Sequence, residues 1–220
     1  MEVPAILTER NLDAAAKLVH RYYAGTDKHG RTGTGSYFDG WAGRGDMETR
    51  DVLTDSDAIA VNMLGAPIPL KAWIALQEPT RAARVTDILR RIPTHVPLSS
   101  LTREQAIDLL TGSGPAMILR DELRRDAEAG LDIGAAAASR IMARKRSDLI
   151  PVWDITIGRV TGQRSSDTQW VDWHALLTDG TGLPERLAEI HKLSGIEQAI
   201  SELRLMDVIL WMFGKEPEFS

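Results

Sequence analysis

Asp154 stands in Pro151-Val-Trp-Asp154, and it is the only acid between Leu149 and Ser166. A lone carboxylate fixed at the start of a helix can do two kinds of work. It can accept from the first free N–H groups as a cap. It can also face a substrate, where it stabilises developing positive charge and orients a water. Twenty residues upstream lies Gly134, ahead of four alanines. A turn of small residues that opens a helix leaves amide hydrogens uncovered, and the positive dipole end there suits a phosphate. Ile133, Gly134, Ala135 and Ala136 are the candidate backbone contacts of such a turn.

Positive charge gathers around these two features. From Ser139 to Arg164 there are six bases (Arg140, Arg144, Lys145, Arg146, Arg159 and Arg164) against Asp148 and Asp154. That segment carries +4 in a chain of net charge -5, so the remainder carries -9. Segregation of this kind predicts one anionic partner for an otherwise acidic protein. Arg140, Arg144, Lys145, Arg146 and Arg159 are the candidate nucleic-acid contacts. The competing reading of the basic run is a solvated helix end favourable to the dipole.

Aromatic residues could hold a flat ligand near Asp154. The candidates are Trp153, Tyr37 and Trp41, with Phe38, Trp170 and Trp173 behind them. Trp170 and Trp173 share one helical face, which favours a place in the core. Asp172 and His174 are two apart and do not share a face. The five histidines show no ligand spacing, so no metal site is expected. Asp207 lies in a mostly apolar helix and needs a partner; Arg204, three residues earlier, is the expected one.

The elements that must position these residues read as helices. Thr8 to Ala24 has helical apolar spacing. Thr54 precedes Asp55 and Asp57, and Thr102 precedes Gln105, both as helix starts. Pro69, Pro79 and Pro115 open further helices, with others over Gly134–Arg144, from Asp154 and over Leu183–Lys192. Ser194 is read as the cap of a long last helix. Gly25 to Leu53 stands apart, with seven glycines. Gly30 to Gly35 lacks the strand, helix and lysine of a phosphate loop, so a flexible loop is the better reading. Short strands around Ser36 to Phe38 and near Val52 would give it a β-hairpin.

Composition narrows the rest. The chain has 220 residues, 43% hydrophobic and 26% charged, ordinary values for a globular protein. It has no cysteine, which excludes disulfides, thiolate metal sites and iron–sulfur clusters. No run of 18 apolar residues exists, so no membrane span is expected. The N-terminus does not read as a signal peptide, and a cytoplasmic location follows as the expectation.

The segment from Gly130 to Val160 resembles the core of the helix-hairpin-helix DNA glycosylases, the endonuclease III-like enzymes. The hairpin glycine, the small residues after it, Val152, Asp154 and then Ile157, Arg159 and Val160 match that family's pattern. The chain also resembles an uncharacterised bacterial family through Ala143-Arg-Lys-Arg-x-x-Leu-Ile-Pro-Val-x-Asp154 and Leu203-Arg-x-x-Asp-x-x-Leu-Trp211. The glycosylase resemblance implies an all-α fold of two helical lobes. Residues 54–146 would form one, ending in the hairpin. Residues 147–220 would form the other, with 1–53 packed on it. It implies DNA as partner and Asp154 as the catalytic residue of a monofunctional N-glycosylase without cofactor. The Schiff-base lysine of bifunctional members falls at Ala136, and Asp132 replaces the first hairpin glycine. The alternatives are a DNA-binding module without catalysis, and a helical interaction protein.

Overall fold

The computed structural model describes residues 1–44, 48–125, 133–166 and 168–216. Asp132 lies outside the described residues. The fold is all-α: among the described residues the only β feature is an isolated bridge between Thr26 and Thr32. The helices are α1 (Leu12–Ala24), α2 (Asp55–Met63), α3 (Leu70–Leu76), α4 (Pro79–Arg90), α5 (Arg103–Leu110), α6 (Pro115–Leu123), α7 (Ala135–Lys145), α8 (Ile155–Thr161), α9 (Gln169–Thr178), α10 (Leu183–Ser194) and α11 (Glu202–Phe213).

Local chemistry explains most of the starts. Thr54 and Asp57 form a reciprocal capping box at α2, and Thr102 and Gln105 form another at α5. Pro79 and Pro115 occupy first-turn positions, where their missing N–H costs nothing. The last helix starts later than the spacing predicts. Ser194 closes α10, with Gly195 left-handed just after it at φ 67°. Ser201 caps α11 instead, its hydroxyl accepting from Arg204 N–H at 3.1 Å.

Among its described residues the Gly-rich segment contains turns and the Thr26–Thr32 bridge, with no strand at Ser36 to Phe38 or at Val52. Residues Thr34–Tyr37 and Trp41–Arg44 are 3-10 turns. Asp27 organises the bend before them: its carboxylate accepts from the N–H groups of His29 and Arg31 at 2.8 and 3.0 Å. The side chain thus supplies acceptors that a partner strand would otherwise provide.

α1 packs on α10 and α11, and α11 on α8; α2 packs on α7, α4 on α6, and α5 on both α6 and α9. Apolar side chains from these helices join in one core. Trp170 and Trp173 are buried within it, as their shared face suggests. α7 runs through the middle, with nine of its eleven residues buried, from Ala137 to Lys145.

Candidate functional site

The basic run lies inside the molecule. Arg144, Lys145 and Arg146 are 5%, 6% and 2% exposed. Asp57, itself fully buried, receives Arg144 Nε at 3.4 Å and Lys145 Nζ in a closer contact. The remaining donors reach backbone carbonyls and one further carboxylate, that of Asp51. Arg144 donates to the carbonyls of Phe38 (2.6 Å) and Trp41; Lys145 donates to that of Thr49 (3.1 Å). Arg146 donates to the carbonyls of Ile92 and Arg50, both at 2.8 Å, and to the Asp51 carboxylate at 2.6 Å. Burial pushes the Lys145 ammonium below its usual range, and Asp57 opposes that shift. These three side chains therefore hold the Gly-rich segment and α2 onto α7. The surface-contact reading and the solvated-end reading both give way to an internal strap, because the carbonyls of the loop need donors.

Arg140, one turn earlier, is also buried, at 5% exposure. Its Nη2 donates to Asp154 Oδ2 at 3.0 Å. Asp154 Oδ1 accepts from Thr156 N–H at 2.8 Å and so caps α8. The strand-like approach to this cap is fixed by Ser139, whose hydroxyl accepts from Trp153 N–H at 2.8 Å. Capping and ion pairing thus coincide on one carboxylate.

Asp154 and Arg140 both line a cavity of about 420 Å³, within the range of small-ligand sites. Its walls are mostly apolar. α1 gives Tyr22; the Gly-rich segment gives Gly33 to Ser36; the end of α2 gives Met63 and Leu64; α11 gives Asp207, Trp211 and Met212. Tyr22 and Trp211 meet edge to face, with centroids 6.1 Å apart at 82°.

Asp207 departs from its expected pairing. Arg204 Nε instead donates to both carboxylate oxygens of Asp39 at 2.9 Å, and its Nη2 to the Tyr22 hydroxyl at 2.8 Å. Asp207 Oδ2 accepts from Val152 N–H at 2.9 Å. Asp207 Oδ1 has no hydrogen-bond partner, and neither do Arg140 Nε and Nη1, although all three atoms are buried. Burial raises the Asp207 carboxyl well above the usual range, against the opposing pull of Arg204 and the Val152 N–H.

The structure does not bring the other sequence candidates to this cavity. Tyr37 and Trp41 are exposed and line a separate depression with Gln198 and Ala199. They sit on the outer side because Arg144 draws the carbonyls beside them inward. Trp153 lines a shallow depression with Ile155, Arg159 and Arg164. Gly134 is exposed as the N-cap of α7. Ile133 is buried at 1% exposure, and neither they nor Ala135 and Ala136 line the cavity. Arg159 is the one predicted basic contact that the structure leaves exposed. Sequence reasoning missed Tyr22, Asp39 and Trp211. Trp211 ends the Leu203–Trp211 string, so its signal was present without a chemical meaning; Asp39 is buried in a glycine-rich stretch that gave none.

A family model described as a family of unknown function, DUF6308, matches residues 15–214. The chain belongs to that family. The DUF6308 match takes in every wall of the Asp154 cavity, from Arg21 to Met212. No curated protein matches the chain, and no solved structure does. No helix among the described residues is long and apolar enough to cross a membrane.

Proposed function

We propose that this DUF6308 protein accepts a nucleobase into the cavity beside Asp154 and hydrolyses the bond between that base and its sugar in DNA. The reading is carried by one observation. A carboxylate fixed by a backbone N–H and a buried guanidinium stands on the wall of a largely apolar cavity. A fixed carboxylate suits the oxocarbenium-like charge that forms when an N-glycosidic bond opens. Water adds to the sugar carbon, the bond's electron pair leaves with the base nitrogen, and the proton lost by water ends on the departing base. Tyr22 and Trp211 offer ring surface to a base taken out of its stack. Exposed Arg159 and Arg164, near Trp153, supply positive charge for the backbone on the neighbouring surface. The internal basic run has no part in this contact.

A second reading, binding without turnover, is favoured by the Arg140 ion pair, since its guanidinium offsets the charge that Asp154 would offer the sugar. One experiment separates them. Single- and double-stranded oligonucleotides bearing uracil, hypoxanthine, oxidised or alkylated bases are incubated with the protein and scored for base release. Release that Asp154→Asn lowers by about a hundredfold or more supports hydrolysis. Retained oligonucleotide binding with every base intact supports the second reading.

A further inference from the structure

α8 separates two surfaces. Asp154 and Ile157 line the cavity, while Ile155, Gly158 and Arg159, at i, i+3 and i+4, line a shallow depression on another face. Trp153, Gly162, Gln163 and Arg164 complete that depression. One glycine builds it. A Cβ at Gly158 would stand 2.9 Å from Trp153 Cη2 and 2.8 Å from the Gln163 carbonyl oxygen, so its absence lets the indole lie against the helix and the returning chain pass beside it. Gly162, left-handed at φ 73°, makes that return and brings Arg164 back to the depression that Arg159 lines. We infer that this depression binds single-stranded DNA, with Trp153 stacking one unpaired base and Arg159 and Arg164 holding the phosphates beside it. The inference deepens the reading above by naming the form of the substrate, and rests on it.

Charge and exposure select the partner. Arg159 and Arg164 are exposed, and neither has an ion pair or hydrogen bond among the described residues. Arg140, Arg144, Arg146 and Arg204, by contrast, spend their charge on buried or half-buried carboxylates. Among the described residues no acid lines the depression. The adjoining one, which shares both arginines, adds Glu2 and Asp172, and Asp172 is engaged by Gln163 Nε2 at 2.8 Å. Two free guanidiniums in such a place suit phosphates, whose oxygens match their fork of donors. Ile155, 66% exposed, and half-buried Trp153 give the same depression an apolar floor. That floor takes the flat face of a base. In a duplex the faces are covered by neighbouring base pairs, so an unpaired base is the one that can use it.

The test is fluorescence anisotropy of the full chain with a short labelled thymidine strand and with the same strand paired to its adenosine complement, across a range of salt. The single strand is expected to bind at least about tenfold more tightly than the duplex. Trp153→Ala should weaken strand binding about tenfold, and Trp153→Phe should keep most of it. The double variant Arg159→Ala, Arg164→Ala should lower the slope of log affinity against log salt by about 1.4, two phosphates' worth. Both arginines are exposed, so this variant decides the matter even where melting curves show Trp153→Ala unfolded. Equal affinity for strand and duplex, or strand binding unchanged in the double variant, would overturn this inference and leave base release at Asp154 to its own assay. Absence of binding to either oligonucleotide would overturn the nucleic-acid reading itself.

Discussion

Asp154 joins two helices through two different oxygens: Oδ1 takes the Thr156 N–H at 2.8 Å and Oδ2 takes Arg140 Nη2 at 3.0 Å. The relationship makes separate demands that substitutions can resolve. Asp154→Ala removes a cap, about 1 kcal/mol, and strands a buried guanidinium, about 3–5 kcal/mol where burial is complete. The Asp154 side chain is 18% exposed, so the combined loss belongs toward the lower end. Asp154→Asn strands the same guanidinium but keeps an acceptor for Thr156, so it should lose less by about the 1 kcal/mol of the cap. Urea melts of the two variants measure the difference, and equal losses would show that the ion pair alone matters.

Asp57 is the point where α2 meets two cations of α7. Asp57→Asn leaves Arg144 and Lys145 buried without their counter-charge, while its amide oxygen can still accept from Thr54 N–H in the α2 capping box. The expected cost is about 3–5 kcal/mol. The carbonyls of Phe38, Trp41 and Thr49 rely on the same two side chains, so limited proteolysis should cut first within residues 38–50. Cleavage elsewhere, with this segment intact, would contradict the strap.

Stability should carry the signature of Asp207. Burial raises its folded-state carboxyl above the unfolded value. Such a group binds its proton more firmly when folded, so its stabilising contribution is complete below the ordinary carboxylate range, about pH 3.9, and is lost as pH rises through the folded value. Asp207→Asn has no proton to lose and still accepts from Val152 N–H. Its melting temperature relative to wild type should therefore climb as pH goes from about 5 to about 8. Parallel curves across that range would show that Asp207 is as ionised folded as unfolded.

Gly35 lets the Gly-rich segment lie against Tyr22. A Cβ there would overlap the Tyr22 hydroxyl and stand 3.2 Å from its Cζ. Gly35→Ala should cost about 1–3 kcal/mol as an overpacked contact and displace Tyr22 from Arg204. Near-ultraviolet circular dichroism would report the loss of the Tyr22–Trp211 geometry; an unchanged spectrum would mean that the loop gives way instead.

Helix starts were legible because their causes are local. Thr54 with Asp57, Thr102 with Gln105, and Pro79 and Pro115 act over one turn, and each is found where its spacing indicates. Asp154 at the head of α8 was legible for the same reason. The fate of Arg144-Lys145-Arg146 was not, because it depends on Asp57, 87 residues from Arg144, and on loop carbonyls about a hundred residues away. Charge on a sequence reads as surface until its partners are known. Arg204 misled for a similar reason: Asp207 is three residues away, yet Asp39, 165 residues distant, holds it. The cavity was invisible because its walls come from α1, the Gly-rich segment, α2, α7, α8 and α11, and no single stretch carries it.

With nine of eleven residues enclosed, α7 has no face on which to slide. It behaves as a fixed axle, and any motion that admits a guest must come from what surrounds it. Deuterium uptake should then quicken at residues 33–36 and 63–65, which line the cavity outside α7, while amides of residues 139–145 stay among the last to exchange.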